Sequence, residues 1–191
     1  MANVDNLIPH IIKWEAGITR LHNEPLPRLF ERARQKGWSN HPNDKGGATQ
    51  TGVTIGTFKA YRREYGKPEP SVDDLRNISY EEWRQILKTQ YWDVVQADTF
   101  KSQDVAVMLV DWFWTSGRWA ITNTQKVLGV AADGVFGAKS INALNNYRRG
   151  QHDLWKAIRD ARKNYYTRIA KGSQARWLNG WLNRVNDLKW T

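Results

Sequence analysis

The sequence predicts an α+β fold that is mostly helical, with one small β-hairpin. Three observations predict it. Apolar residues recur at helical spacing through most of the chain. Only residues 47–55 combine β-branched side chains with turn glycines, the pattern of a short ribbon. No apolar run is long enough to span a bilayer. A length of 191 residues suits one domain with a small second lobe. The expected division is a first region over 1–120, with residues 19–38 inserted in it, and a helical region over 121–191, the two packed as one compact unit.

The elements follow in order. Leu7, Ile8, Ile11 and Ile12 form a stripe on one helix face, and extending the 7–11 row by four reaches Glu15. Gly17 can stop that helix. Glu15 is therefore expected on the buried side, where an apolar setting favours a protonated carboxyl. In the inserted segment Pro25 and Pro27 precede Leu29, Phe30 and Ala33, set among Arg28, Glu31, Arg32, Arg34 and Lys36. This reads as a loop entering a short basic amphipathic helix, either a wall or lid of a cleft or a surface embellishment. Asn43-Asp44 before Gly46-Gly47 is turn chemistry, and Asp44 is expected to be solvated and ionised. Thr49, Thr51, Val53, Thr54 and Ile55 follow as the ribbon.

Helices dominate the remainder. Ser79 and Glu82 form a capping-box pattern opening residues 79–92. Residues 104–116 bury Val105, Met108, Leu109 and Trp112, with Asp111 either a cleft residue or, the favoured reading, a buried and bonded structural carboxylate. Two short helices, 123–129 and 138–147, flank the turn Ala132-Asp133-Gly134. Residues 151–171 run to Gly172, and residues 174–189 carry Trp177, Trp181, Val185 and Leu188.

Composition narrows the chemistry. There are no cysteines, which removes disulfides, a thiol nucleophile and Cys-type zinc sites. His10, His22, His41 and His152 show no ligand spacing, so no metal is expected. No Gly-x-Ser-x-Gly elbow or phosphate loop is present, and no cofactor is implied. The net charge of +10 draws the chain toward polyanions. Without a finger, basic zipper or ribonucleoprotein motif, nucleic acid is not the expected one. Of the eleven tryptophans, Trp38 is the best candidate to stack on a sugar face, whereas Trp112, Trp114, Trp119, Trp155, Trp177, Trp181 and Trp190 read mainly as packing residues.

Two carboxyl groups in unlike surroundings, Glu15 and Asp44, are what acid–base hydrolysis of a glycoside needs. Glu24 and Glu31 are rivals for the second role. Lys13-Trp14-Glu15-Ala16-Gly17 and Asp44-Lys45-Gly46-Gly47-Ala48-Thr49-Gln50-Thr51-Gly52-Val53-Thr54 carry a resemblance to the glycoside hydrolase family 108 lysozymes. That family has Glu-Gly-Gly followed by Asp-x-Gly-Gly-x-Thr-x-x-Gly-Ile-Thr. The likeness continues at Tyr91-Trp92-Asp93 and at Asp111-Trp112-Phe113-Trp114-Thr115-Ser116-Gly117. It ends at Gln125–Gly137, which resembles the family's C-terminal peptidoglycan-associated region. The chain departs from the pattern at Ala16, at Thr115 where Asn is usual, and in placing Asp44 29 positions after Glu15, against roughly ten in the family.

The resemblance implies a lysozyme-like fold and cleavage of the β-1,4 bond between N-acetylmuramic acid and N-acetylglucosamine. Glu15 would be the general acid and Asp44 the second carboxylate. Thr49 would hold the water, and Trp38, Gly47 and Thr54 would bind substrate. The expected partner is the peptidoglycan glycan strand, without stable membrane insertion and with the protein a monomer. Asp5 and Pro9 interrupt any signal peptide, so synthesis in the cytoplasm and holin-type release to the wall are expected. The alternative is a non-catalytic wall-binding or secretion-assisting protein on the same fold.

Overall fold

The computed structural model describes residues 1–19, 24–41 and 46–191. It is mostly helical with one three-stranded antiparallel sheet, and it divides into two compact units. One is Leu7–Gln90; the other joins Met1–Asn6 to Tyr91–Thr191.

The Leu7–Gln90 unit begins with α1 (Ile8–Ala16), which carries Pro9 in its first turn and ends at Gly17. Leu7, Ile8, Ile11 and Ile12 are fully buried, each contributing about 1.5–3 kcal/mol. Helix α2 (Leu26–Arg34) packs on α1. It turns Leu29, Phe30 and Ala33 inward. The Phe30 ring lies 5.0 Å from Trp83 and 5.9 Å from Tyr80. A helix with this much buried surface belongs to the core of its unit, although residues 20–23 of the expected insertion lie outside the described residues.

Three strands follow: β1 (Trp38–Ser39), β2 (Thr49–Gln50) and β3 (Val53–Thr54). The ribbon expected at 47–55 is the β2–β3 hairpin. Strand β1 was not anticipated; two residues are too few to show alternation. Helix α3 (Ile55–Glu64) is capped by Thr54, and α4 (Val72–Arg76) opens with a reciprocal Ser71–Asp74 capping box. In α5 (Tyr80–Leu87) the Ser79 hydroxyl accepts from Glu82 N–H at 3.1 Å. The Glu82 carboxylate does not close the expected box, because Arg62 and Lys67 hold it at 3.0 Å each. The helix then widens into one π-helical turn at Lys88–Trp92.

Gln50 ties these parts together. Its side chain is 1% exposed, and its amide donates to Arg34 O at 3.1 Å and Arg76 O at 2.8 Å. Arg34 and Arg76 are the last residues of α2 and α4, where helical carbonyls lack partners within the helix. One amide thus closes the ends of two helices from the central strand.

In the second unit the principal helices are α6 (Gln103–Ser116), α7 (Arg118–Leu128), α8 (Ala138–Asn145), α9 (Gly150–Ile169) and α10 (Leu178–Asp187). Helix α7 starts five residues before the expected 123. Residues 172–177 form a 3₁₀ turn, so the last helix begins later than expected. Trp119 and Trp177, expected to pack, are 58% and 52% exposed. The apolar helix stops at Gly117, so Trp119 stands on a new helix with a different face outward. Trp177 closes the 3₁₀ turn rather than sitting on α10.

Asp111 is the buried structural carboxylate expected. It is fully buried on α6, accepting from Arg162 Nη2 of α9 at 2.7 Å and Arg184 Nη2 of α10 at 2.7 Å. Arg162 Nε donates to the Tyr166 hydroxyl at 3.2 Å. A buried charge is tolerated when paired and hydrogen-bonded.

Two outcomes are expected. Gln50→Leu strands the Arg34 carbonyl, leaves Arg76 O only the longer contact from Arg34 Nη1 at 3.4 Å, and lowers unfolding free energy by about 1–3 kcal/mol, measured by denaturant titration. Asp111→Asn removes the carboxylate charge that Arg162 and Arg184 share and costs about 3–5 kcal/mol; the same titration checks it.

Candidate functional site

The Leu7–Gln90 unit carries every sequence-predicted site residue that the structure describes. Glu15 lies in the last turn of α1, half-buried. Helical periodicity placed it on the correct side of the stripe but deeper than it is. The helix ends one residue later, at Ala16. Asp44 lies outside the described residues.

The sheet brings Gly47, Thr49 and Thr54 together. Thr49 pairs with Ser39 of β1 and with Thr54 of β3. Side chains alternate across a strand, so Ser39, Thr49 and Thr54 share one face as a row of three hydroxyls, neighbours in the row being about 4.5–5.5 Å apart at Cβ. The Thr49 hydroxyl donates to Gly47 O at 3.2 Å. Thr54 is committed locally: its hydroxyl accepts from Thr57 N–H at 3.2 Å and lies 3.0 Å from the Thr57 hydroxyl. It fixes the start of α3 as well as the edge of this face.

Trp38 does not join that row. It pairs with Gln50 and therefore points to the other face of the sheet. There it borders a pocket of about 290 Å³ with Arg34, Gln35, Arg76 and Asn77. The Arg76 guanidinium lies over its ring at 5.7 Å.

A strained turn holds the hydroxyl row in place. Thr51 and Gly52 link β2 to β3 with φ of 45° and 81°. Both are left-handed, as a two-residue type I′ turn requires. Glycine meets that requirement at no steric cost; a β-branched Thr does not. The surroundings fix Thr51 there. It is fully buried; its N–H donates to Gly37 O at 2.8 Å, and its carbonyl accepts from the Trp83 indole at 3.0 Å. A side chain at Gly37 would lie 2.8 Å from the Thr51 hydroxyl, so the close approach requires glycine. Strain of this kind persists where surrounding structure over-determines it, often beside functional sites. The motif pointed to the turn but not to this set of partners.

Neither rival carboxylate is disengaged. Glu24 is paired with Arg32. Glu31 takes both Arg34 Nε and Nη2, at 3.0 and 2.7 Å, and the hydrogen bond from Arg34 holds its carboxyl below the usual range. Among the described residues no group of three potential ligands could hold a metal ion, and no helix is long and apolar enough to cross a membrane.

Residues 32–117 match the family model glycosyl hydrolase 108, and residues 119–186 match the model described as a predicted peptidoglycan domain. The first match spans the hairpin and its motif but begins after Glu15. No curated protein matches the chain. Among solved structures, that of Brucella abortus SagA is similar, with 25% sequence identity and a TM-score of 0.72 over 96% of this chain and 90% of that one. The architecture is the lysozyme-like α+β one. Two adjoining family matches thus cover most of the chain, which carries a glycosyl hydrolase 108 region over residues 32–117 and a predicted peptidoglycan domain over residues 119–186.

Proposed function

We propose that the protein is an N-acetylmuramidase that hydrolyses the β-1,4 bond between N-acetylmuramic acid and N-acetylglucosamine in peptidoglycan. The match of residues 32–117 to a glycosyl hydrolase family supports the reaction class, and the adjoining predicted peptidoglycan domain supports the substrate class. The observation that most supports a site in the Leu7–Gln90 unit is the hydroxyl row of Ser39, Thr49 and Thr54, built by a motif inside the matched segment.

In this reading Glu15 is the general acid. It protonates the glycosidic oxygen as the bond to the anomeric carbon breaks, which spares the leaving sugar from departing as an alkoxide. Its support is the Glu15-Ala16-Gly17 motif and a half-buried position at the end of an apolar helix. Asp44 is the ionised partner that stabilises positive charge at the anomeric carbon or orients water. Thr49 spends its proton on Gly47 O, which leaves oxygen lone pairs to accept a hydrogen bond from a water in the site. Gly47 and Thr54 border the same substrate face. Trp38, on the opposite face, is assigned no stacking contact with the sugar at Thr49. The enzyme acts on the wall outside the cytoplasm, as a monomer.

Glu15→Gln is expected to reduce release of soluble fragments from purified peptidoglycan by about 10²–10⁴-fold while wall binding is retained. Equal release by the variant and the parent protein removes Glu15 from the mechanism. Equal binding with no release by either favours the non-catalytic wall-binding alternative.

A further inference from the structure

Helices α7 and α9 pack against each other in the Tyr91–Thr191 unit, and their outer rims enclose a groove of about 430 Å³, within the size range of ligand sites. Lys126, Asn123, Asn164, Tyr165 and Arg168 border it. The spacing explains the convergence. Trp119, Asn123 and Lys126 succeed one another at four and three residues on α7, and Ala161, Tyr165 and Arg168 at four and three on α9, so each set lies along one helix face.

Beside Tyr165, and outside the groove's own lining, stands Trp119, 58% exposed, its ring 6.4 Å from Tyr165 and inclined at 30°. Trp83, Trp92 and Trp112, by contrast, are fully buried. Tyr165 itself is almost covered, and burial pushes its phenol pKa up, so the hydroxyl keeps its proton at physiological pH. Arg168 caps the Tyr165 ring at 5.8 Å while remaining exposed, as does Lys126. An exposed indole, two cations and two amides are what an acetamido sugar bearing carboxylates would contact. The indole meets its apolar face, the amides its hydroxyl and acetamido groups, and the cations its carboxylates, while the covered Tyr165 ring backs the indole.

We infer that this groove is a non-catalytic binding site for the peptide-bearing glycan strand of peptidoglycan, with Trp119 as its platform and Lys126 and Arg168 as its carboxylate contacts. The inference rests on the peptidoglycan reading above and adds to it a second point of attachment. Two attachment points on one polymer raise overall avidity without any change in either site.

The test separates binding from cleavage. Retention of the full chain on insoluble sacculi is measured for Trp119→Ala, Trp119→Phe and the double variant Lys126→Ala/Arg168→Ala, with thermal unfolding confirming the fold. Hydrolysis is measured in parallel on short soluble peptidoglycan fragments. Trp119→Ala and the double variant are expected to lose about tenfold in retention, Trp119→Phe less, and all three to hydrolyse soluble fragments at the parent rate. Retention of the parent protein should fall with added salt, and chitin oligosaccharides, which lack the carboxylates, should compete poorly against soluble peptidoglycan fragments. Parent-like retention by both alanine variants overturns the assignment, and chitin competing as well as the fragments overturns the role of the two cations. If the parent protein cleaves nothing while the variants still lose retention, the hydrolase reading fails and the groove stands.

Discussion

The Leu7–Gln90 unit depends on one buried amide. Gln50 sits in the central strand and donates to the last carbonyl of α2 and the last carbonyl of α4. Its neighbour Thr51 is held in a left-handed conformation by Gly37 and Trp83. These contacts fix where β2 lies and therefore where Thr49 and its hydroxyl neighbours face. Strands of two residues make few ladder hydrogen bonds of their own, so the sheet relies on helices for its position. The strain at Thr51 is tolerated because indole, carbonyl and glycine all meet at that one residue.

The second unit solves a different problem by related means. Asp111 places a charge in the interior, and two guanidiniums from separate helices answer it. The arrangement joins α6, α9 and α10 through directional contacts, where apolar packing alone would leave their rotation less defined. Removing the carboxylate would leave positive charge where water cannot reach it, so this cluster behaves as a unit. The adjoining loop follows the same logic on a smaller scale. The buried Gln125 side chain receives Gly134 N–H and donates to Asp133 and Val135 O, and so shapes the turn that the sequence marks only as Asp-Gly.

Features that depend on local periodicity were legible in the sequence. The α1 stripe, the short basic helix around Phe30, the hairpin, and the structural role of Asp111 in an apolar helix all follow from spacing and residue type. Features that depend on distant partners were not. Nothing near Gln50 in sequence announces that it closes two helices, and nothing near Trp38 shows that its ring and Thr49 diverge across the sheet once β1 pairs. Trp112 and Trp119 look alike in a run of aromatic residues, yet the break at Gly117 buries one and exposes the other. For Glu15, periodicity gave the face but not the depth, because depth is set by where the helix stops and what packs beyond it.

The proposed activity breaks the bond on the anomeric carbon of N-acetylmuramic acid by hydrolysis. Reduction of digested peptidoglycan with borohydride, followed by mass spectrometry of the ends, tests it most directly. An N-acetylmuramidase gives new chain ends that appear as N-acetylmuramitol. Ends appearing as N-acetylglucosaminitol, or as non-reducible anhydro sugars, would contradict it.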